Sequence, residues 1–242
     1  MVPEPRAWQH ELWRRVRTLW ALKMFATMGG IAGFFYAYFW VMRQPLSAVT
    51  VMPVTWIDEL VGFQPSWFFV YVSLWVYISL GPALARDVRE MAAFGAASLV
   101  IAAVGLAIFM LLPTKVPEFA IDWSLYPSLE FLKQVDVSGN ACPSLHVAFC
   151  VFAAVVLHVQ LRAIHAGRLL LACNVLWALG ILYSTMATRQ HVALDVIAGA
   201  ALGGAVSVAY VGALAGPQAR RLSRNPRTAS VPDLRTLAGK GD

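Results

Sequence analysis

The chain has 242 residues, of which 59% are hydrophobic and only 13% are charged, and its formal net charge is +6. Soluble domains carry about 25% charged residues, so this composition excludes an ordinary soluble protein and indicates a membrane protein. The basic residues lie between and beyond apolar runs and form no basic face, which argues against nucleic acid as a partner. The three cysteines are too few and too scattered for a disulfide framework or a zinc site.

The first segment, residues 6–18, places Trp and Leu among Arg residues at helical spacing. This pattern is typical of an amphipathic helix lying on an anionic membrane surface, although a simple basic flank of the first span has the same composition. We assign residues 1–19 to this basic interfacial segment. We expect no cleavable signal peptide, because the apolar run that follows is long enough to span the bilayer.

Six apolar windows are long enough, or nearly so, to cross a bilayer as helices of about 20 residues. They cover residues 20–42, 67–85, 92–112, 146–161, 168–187 and 192–214. The fourth window is short, and we expect its helix to begin at Pro143, because proline is favoured at the first helical position. Gly29 with Gly33, and Gly199 with Gly203, have the spacing that allows helices to pack closely. The predicted fold is an all-α, polytopic membrane protein, a six-transmembrane-helix bundle with an N-terminal interfacial helix.

The Lys and Arg residues are distributed unevenly between the two sides of such a bundle. With six spans, 15 of the 19 fall on the side that holds both termini. Because basic loops stay in the cytoplasm, we expect both termini inside and the opposite connections facing the periplasm, extracellular space or lumen. Residues 20–216 then form the membrane catalytic domain. The polar, basic residues 217–242 are predicted to be a disordered cytoplasmic tail.

The three outer connections differ in length. The first, about 43–66, has the prolines and tryptophans of an irregular lid at the membrane interface. The second, about 113–142, is the longest, and a short amphipathic helix is predicted within it from Pro127 to Val135. The third is only a turn, around Thr188 to Gln190.

Ionisable residues gather at the outer ends of the spans, where a charge inside the membrane costs about 2.5–3.5 kcal/mol and therefore marks a functional candidate. His191 and Asp195 are four residues apart, on one helical face, where the carboxylate can fix the imidazole tautomer. His146 is expected at a helix N-terminus, where free N–H groups bind anions. A structural polar pair explains the first two residues equally well, and an interfacial histidine without a role is the alternative for His146.

Two motifs carry a resemblance to a known family. The first is Pro-Ser-Leu-His at Pro143–His146, and the second is Ser184-Thr185 followed by His191 and Asp195. They resemble the type 2 phosphatidic acid phosphatase superfamily, whose motifs are Pro-Ser-Gly-His and Ser-Arg-x5-His-x3-Asp. That family has six helices with all motifs on one membrane face.

The chain departs from the family pattern at three places. Leu145 replaces the motif glycine, and Thr185 replaces the arginine that would bind phosphate. The family's Lys-x6-Arg-Pro motif is absent, and only Lys115, between two prolines, lies at the corresponding position. The first two changes are similar to the branch that contains the inositol phosphorylceramide synthases, an inositolphosphotransferase-like branch.

The resemblance implies a lipid phosphatase or phosphotransferase. His191 would attack phosphorus and form a phosphohistidine, Asp195 would orient it, and His146 would act first as acid and then as base. The substrate would be a membrane lipid phosphate, the acceptor water or an alcohol, and neither a metal nor another cofactor is required. The candidate phosphate-binding residues are Lys115, Ser144 and Arg189.

Two other classes of function remain open from the residues alone. Two histidines and a carboxylate can bind iron or zinc, so His146, His191 and Asp195 are also compatible with a metal-dependent membrane hydrolase. The other class is a non-catalytic scaffold or channel in which the histidines only pack.

Overall fold

The computed structural model describes residues 7–135 and 139–224. Its helices are α1 (Ala7–Arg17), α2 (Trp20–Met42), α3 (Trp56–Val61), α4 (Phe68–Val72), α5 (Leu74–Ala83), α6 (Val88–Leu111), α7 (Pro127–Val135), α8 (Leu145–Ala163), α9 (Arg168–Ala187) and α10 (Ala193–Arg224). The shorter elements are the 3-10 turns Pro65–Trp67 and Trp123–Leu125 and the strands β1 (Thr50–Val51) and β2 (Thr114–Lys115). The structure is 75% helical, which confirms the all-α prediction.

Six helical segments are long and apolar enough to cross a membrane. They are Trp20–Met42, Pro65–Ala83, Val88–Leu111, Leu145–Ala163, Arg168–Ala187 and Ala193–Leu214. The second segment joins a 3-10 turn, α4 and α5 into one span. All six lie within a few residues of the predicted windows, so the polytopic six-helix bundle is confirmed.

The fourth span, α8, lies at the centre of the bundle. In its spanning window 56% of the residues are buried, a larger share than in the other five. One face, with Phe152 and Val156, packs against residues of α2, α6 and α10. The other face, with Cys150 and Leu157, packs against residues of α5 and α9. Because α8 buries both faces, it holds the two halves of the bundle together and fixes the position of its own first turn.

Glycines on α10 allow that helix to touch α8. An added Cβ on Gly199 or Gly203 would lie 2.3 Å from a main-chain carbonyl oxygen of α8 or its N-cap, so only glycine fits. The predicted close packing is confirmed at this pair. The same prediction is wrong for Gly29 and Gly33 of α2, where an added Cβ would meet nothing within 4 Å. Those two glycines border open space instead of a neighbouring helix.

The connections predicted to face away from the cytoplasm, called the outer connections, are more ordered than the sequence indicated. β1 of the first connection pairs in parallel with β2 of the second. The first connection also contains α3, which Thr55 and Asp58 stabilise through a capping box. The helix predicted from Pro127 to Val135 is present as α7, with Leu129 buried and Phe131 exposed.

The start of α8 differs from the prediction. The helix begins at Leu145 and not at Pro143, because Ser144 is its N-cap. The Ser144 hydroxyl accepts a hydrogen bond from the backbone N–H of Val147 at 3.3 Å. A serine N-cap satisfies one of the free donors of the first turn, so the boundary falls one residue after it.

The two ends of the chain were predicted as an interfacial helix and a disordered tail. The interfacial helix corresponds to α1, in which Glu11 accepts hydrogen bonds from Arg14 and Arg15 while Trp13 is exposed. The helix α10 continues to Arg224, beyond the residue at which the tail was expected to begin. Residues 1–6 and 225–242, which carry the rest of these two predictions, lie outside the described residues.

Candidate active site

His146 lies in the first turn of α8, at the end of the bundle that carries the outer connections. Its ring stacks on Tyr71 of α4, with 4.6 Å between ring centroids and 17° between planes. Trp75 of α5 meets the same ring edge-on, with the centroids 5.8 Å apart. The first backbone N–H groups of a helix have no acceptor within the helix, so this turn also offers donors to an anion.

His191 and Asp195 face each other where the turn after α9 leads into α10. The backbone N–H of His191 donates to the carbonyl of Thr185 at 3.0 Å. Nδ1 of His191 is 3.6 Å from Oδ2 of Asp195, and that oxygen also accepts the N–H of Val192 at 3.1 Å. Asp195 is fully buried, and His191 is 8% exposed. The Nδ1 edge is thus turned to the carboxylate, and Nε2 is left for another partner.

The structure brings both histidines and Asp195 together. The ring centroids of His146 and His191 are 6.1 Å apart. The backbone N–H of Ser144 donates to the carbonyl of Asp195 at 3.0 Å, which ties the N-cap of α8 to the first turn of α10. At this separation both imidazoles can contact one small group bound between them.

Arg189 shares the turn with His191 and is held on several sides. Its φ is 57°, in the left-handed region that non-glycine residues rarely adopt. Nη1 donates to the carbonyl of Asp58 at 3.0 Å, and Cζ lies 4.4 Å from the centroid of the Phe119 ring. The carbonyl of Arg189 accepts a hydrogen bond from Lys133 Nζ at 2.9 Å. Nε is buried and, within residues 7–135 and 139–224, has no hydrogen-bond partner, so the side chain retains an unused donor.

Asp58 is a buried acid beside this turn that the motifs did not single out. It is fully buried, and Oδ1 accepts the backbone N–H of Ala193 at 2.8 Å. Oδ2 accepts both the N–H and the hydroxyl of Thr55, each at 2.8 Å. The spacing of Thr55 and Asp58 indicates a helix start, a signal that sequence reasoning could have used. No sequence signal links Asp58 to Ala193.

Residues 89–215, just over half of the chain, match the PAP2 superfamily. The chain belongs to the PAP2 superfamily. The match confirms the family predicted from the two motifs, and members of this superfamily are typically phosphatases. The protein is therefore an integral, multi-pass membrane member of a phosphatase or phosphotransferase superfamily. No curated protein and no solved structure shows significant similarity to the chain.

Two side chains at which this PAP2 protein departs from the family motifs point into its own core. Leu145 is buried and packs on α6, since an added Cβ on Gly105 would lie 2.3 Å from its Cδ2. Thr185 is also buried, and its hydroxyl donates to the carbonyl of Leu182 in its own helix at 2.7 Å. Because threonine carries no charge, any basic phosphate ligand of this protein has to come from another residue.

The other two predicted phosphate ligands, Lys115 and Ser144, have different surroundings from Arg189. Lys115 lies on β2 with its side chain 37% exposed, and its Nζ is 3.6 Å from a carboxylate oxygen of Glu118. In the described part of the chain, no hydrogen bond or ion pair joins Lys115 to either histidine. Ser144 is fully buried, and its hydroxyl is used to cap α8. Arg189 and Ser144 each lie two residues before a histidine, but only Arg189 brings a cationic side chain with a donor that is free among the described residues.

An apolar cavity of about 470 Å³ lies between α2, α5, α6 and α8 of the PAP2 protein. Gly30 and Gly33 of α2 line it on one side, and Phe149 of α8 lines it on another. Trp75 borders the cavity and also contacts the ring of His146. The apolar space and the His146 ring therefore share one neighbouring side chain.

The arrangement of the three polar residues bears on the metal-site alternative. Among residues 7–135 and 139–224, no group of three or more His, Cys, Asp or Glu side chains is arranged to hold a metal ion. Oδ2 of Asp195 is directed to Nδ1 of His191 and to the N–H of Val192. This is the geometry of a carboxylate that orients an imidazole.

Proposed function

We propose that this PAP2 protein is a lipid phosphate phosphatase or phosphotransferase that acts through a phosphohistidine on His191. The observation that carries the proposal is the 6.1 Å separation of the His146 and His191 rings, together with the Asp195 carboxylate 3.6 Å from Nδ1 of His191. A nucleophile, an acid/base and an orienting carboxylate are the parts that a double displacement needs.

In the first step, Nε2 of His191 attacks phosphorus. The new P–N bond forms as the P–O bond to the leaving group breaks, and protonated His146 gives its proton to the departing oxygen. Asp195 stabilises the positive charge that develops on the His191 ring. The 3.6 Å contact is longer than a hydrogen bond, and we expect it to shorten when substrate binds, as catalytic hydrogen bonds commonly do.

In the second step, the acceptor hydroxyl transfers its proton to neutral His146. The acceptor oxygen attacks phosphorus, and the P–N bond to His191 breaks. Water as acceptor gives hydrolysis, and an alcohol gives transfer of the phospho-head group. The motif departures at Leu145 and Thr185 favour the alcohol, because they are similar to those of the inositolphosphotransferase-like branch. An assay that compares released inorganic phosphate with transfer to inositol or glycerol acceptors distinguishes the two.

Charge on the non-bridging oxygens needs cationic or N–H donors, since positioning and electrostatics supply most of the rate in phosphoryl transfer. Arg189 is our first candidate, because its Nε is an unused donor on the His191 turn. The backbone amides that follow Ser144 at the start of α8 are the second. Lys115 is the third, and its exposed pair with Glu118 would cost only about 0–1 kcal/mol to break.

The apolar cavity beside Trp75 supports a substrate with acyl chains, because the reacting phosphate and the chains would then be held by adjacent parts of the protein. We place the site on the face opposite the cytoplasm, following the excess of basic residues on the side of the termini. We also propose that no metal takes part, so that full activity after exhaustive chelation would exclude the metal-dependent hydrolase.

The test is to trap acid-labile phosphate on the purified protein with a panel of labelled lipid phosphates. Wild type is expected to carry the label, and His191→Ala is expected to lose both label and turnover while remaining folded. His10→Ala is a matched control, because His10 is an exposed histidine on α1. If His191→Ala keeps its turnover, or if no lipid phosphate labels the wild type, the phosphohistidine proposal is wrong. A scaffold or channel would be unaffected by this substitution.

A further inference from the structure

The fully buried carboxylate of Asp58 lies outside the histidine–histidine–aspartate set, yet it is bonded to the turn that carries His191. A buried charge is costly unless it is hydrogen-bonded, and Asp58 meets this requirement with three donors. Two of them come from Thr55 in its own connection. The third is the backbone N–H of Ala193, the first residue of α10.

Two further hydrogen bonds join the same two segments. The carbonyl of Asp58 accepts Nη1 of Arg189 at 3.0 Å, so the residue holds the turn through its backbone as well as its side chain. The N–H of Gln64 donates to the carbonyl of Ala187 at 2.8 Å, at the other end of the turn. The first outer connection is therefore fastened to both ends of the segment from Ala187 to Ala193.

We propose that Asp58 is a positioning residue for His191 and Asp195. The inference rests on the proposed function, in which His191 is the nucleophile. Asp58 contacts neither the imidazoles nor the space between them in the described hydrogen bonds. It acts through the backbone of α10 and through Arg189, whose left-handed conformation its carbonyl helps to hold.

The physical reason is that two carboxylates accept hydrogen bonds from two different N–H groups at the start of α10. Free N–H groups at the start of a helix attract carboxylates. Asp195 accepts the N–H of Val192, and Asp58 accepts the next one, from Ala193. Without Asp58, the Ala193 N–H would compete for Asp195, whose Oδ1 has no hydrogen-bond partner among the residues described. With Asp58 in place, Asp195 stays directed at His191.

The variants are chosen to separate this hydrogen bond from the charge and from the stability of α3. Asp58→Ala removes the acceptor of Ala193, whereas Asp58→Asn keeps an oxygen at Oδ1. Glu59→Ala removes the neighbouring, exposed acid of the same helix. Thr55→Ala removes the hydroxyl of the capping box, which donates to Oδ2 of Asp58, and leaves the hydrogen bond from the Ala193 N–H to Oδ1 of Asp58.

Two measurements are made on the full chain, one of which needs no substrate. Hydrogen–deuterium exchange reports the protection of the segment 188–195, and steady-state kinetics on a labelled lipid phosphate report kcat and KM. For Asp58→Ala we expect faster exchange in this segment and kcat lower by about 100-fold, as for a misplacement of about 1 Å. KM should change little, because the lost contact positions reacting groups and does not bind substrate. Asp58→Asn should recover most of both signals, and Glu59→Ala and Thr55→Ala should resemble wild type.

Unchanged exchange over 188–195 in Asp58→Ala overturns the proposal, and so does an unchanged kcat. It is also wrong if Asp58→Asn is folded and as impaired as Asp58→Ala, since the charge would then matter and not the hydrogen bond. If Asp58→Ala does not fold, Asp58→Glu takes its place, because it keeps the charge but moves the carboxylate by one methylene from the Ala193 N–H. It should then show the faster exchange and the lower kcat, and wild-type behaviour would overturn the proposal. A wild type that neither turns over nor forms a phosphoenzyme would refute the proposed function alone, and the exchange data would still decide the role of Asp58.

Discussion

Replacing Gly199 by alanine should reduce catalysis although the residue touches no substrate. Gly199 lies one turn after Asp195 on α10, where that helix contacts the start of α8. An added Cβ would lie 2.3 Å from the carbonyl oxygen of Ser144 and 3.1 Å from Cβ of Val147. A backbone oxygen at the N-cap of a central helix cannot rotate away as a flexible side chain can.

The size of the effect follows from these distances. Ordinary contact begins at 3.4 Å, so α10 and the start of α8 must separate locally by about 1 Å. The hydrogen bond from Ser144 N–H to the Asp195 carbonyl, now 3.0 Å, would break. Asp195 and His191 would then move away from His146. A misplacement of this size costs about 100-fold in rate, and the overpacking costs about 1–3 kcal/mol of stability.

The assay compares kcat for a lipid phosphate and the thermal midpoint in Gly199→Ala and Gly204→Ala. Gly204 is on the same helix, and an added Cβ there meets nothing within 4 Å. Gly204→Ala should therefore keep its activity and gain up to about 1 kcal/mol of stability from helix propensity. Equal activity in the two variants would show that the contact between α8 and α10 does not set the catalytic geometry.

Three further predictions concern Arg189, the need for a metal ion and the pKa of Glu11. Arg189→Asn keeps a residue that tolerates the left-handed conformation but removes the guanidinium, so kcat/KM should fall by roughly 10²–10³. The thermal midpoint should fall as well, because the contacts with the Asp58 carbonyl and Phe119 are lost. Wild-type kinetics with a lowered midpoint would leave Arg189 a structural role only. Exhaustive chelation should leave the rate unchanged, and a loss that zinc or iron restores would contradict the proposed mechanism. Hydrogen bonds from Arg14 and Arg15 lower the pKa of Glu11 from 4.5 to about 2. Because the folded-state pKa is depressed, this pairing stabilises α1 above pH 4.5 and is lost as the pH falls through about 2. Tryptophan fluorescence of the wild type should therefore show a transition in that acid range that Glu11→Gln lacks, because Trp8 and Trp13 lie on α1.

The spans could be predicted from the sequence because apolar length is a one-dimensional property. Contacts between helices depend on three-dimensional packing and could not be predicted in this way, as the two glycine pairs demonstrate. Gly199 with Gly203 and Gly29 with Gly33 have the same spacing, yet the first pair touches α8 and the second borders a cavity. The spacing of the glycines predicts a helix face made of small residues. Which neighbouring helix contacts that face depends on how all the helices of the bundle pack.

The contacts of the candidate site also fall into local ones, which the sequence predicts, and long-range ones, which it does not. The approach of His191 to Asp195 is local, since residues four apart on a helix share a face, and the sequence predicted it. The approach of His146 to His191 is long-range. The span count predicts only that both lie at the same end of the bundle, and the family resemblance implies that they act together. The hydrogen bond from Ala193 to Asp58 could not be predicted at all, because a buried acid in a short connecting helix carries no mark of its partner. The contacts that hold the turn with His191 therefore became visible only in three dimensions.

The replacement of the motif glycine by Leu145 is best explained by packing. The side chain lies on Gly105 of α6, whereas the ring of the next residue, His146, contacts Tyr71 and Trp75 on the other side of the bundle. Leu145→Ala should therefore cost about 2–5 kcal/mol of stability by leaving a cavity. Gly105→Ala should also destabilise the protein, because its Cβ would lie 2.3 Å from Cδ2 of Leu145.

The double variant should be less unstable than the sum of the two single variants, since the smaller side chain at position 145 makes room for the new Cβ. The ratio of transfer to hydrolysis should be the same in Leu145→Ala as in wild type, because in this arrangement the side chain does not reach the acceptor. Measuring that ratio with labelled lipid phosphate and an excess of inositol is a direct check. A shift towards hydrolysis without loss of stability would mean that Leu145 contacts the acceptor and that its packing on Gly105 is incidental.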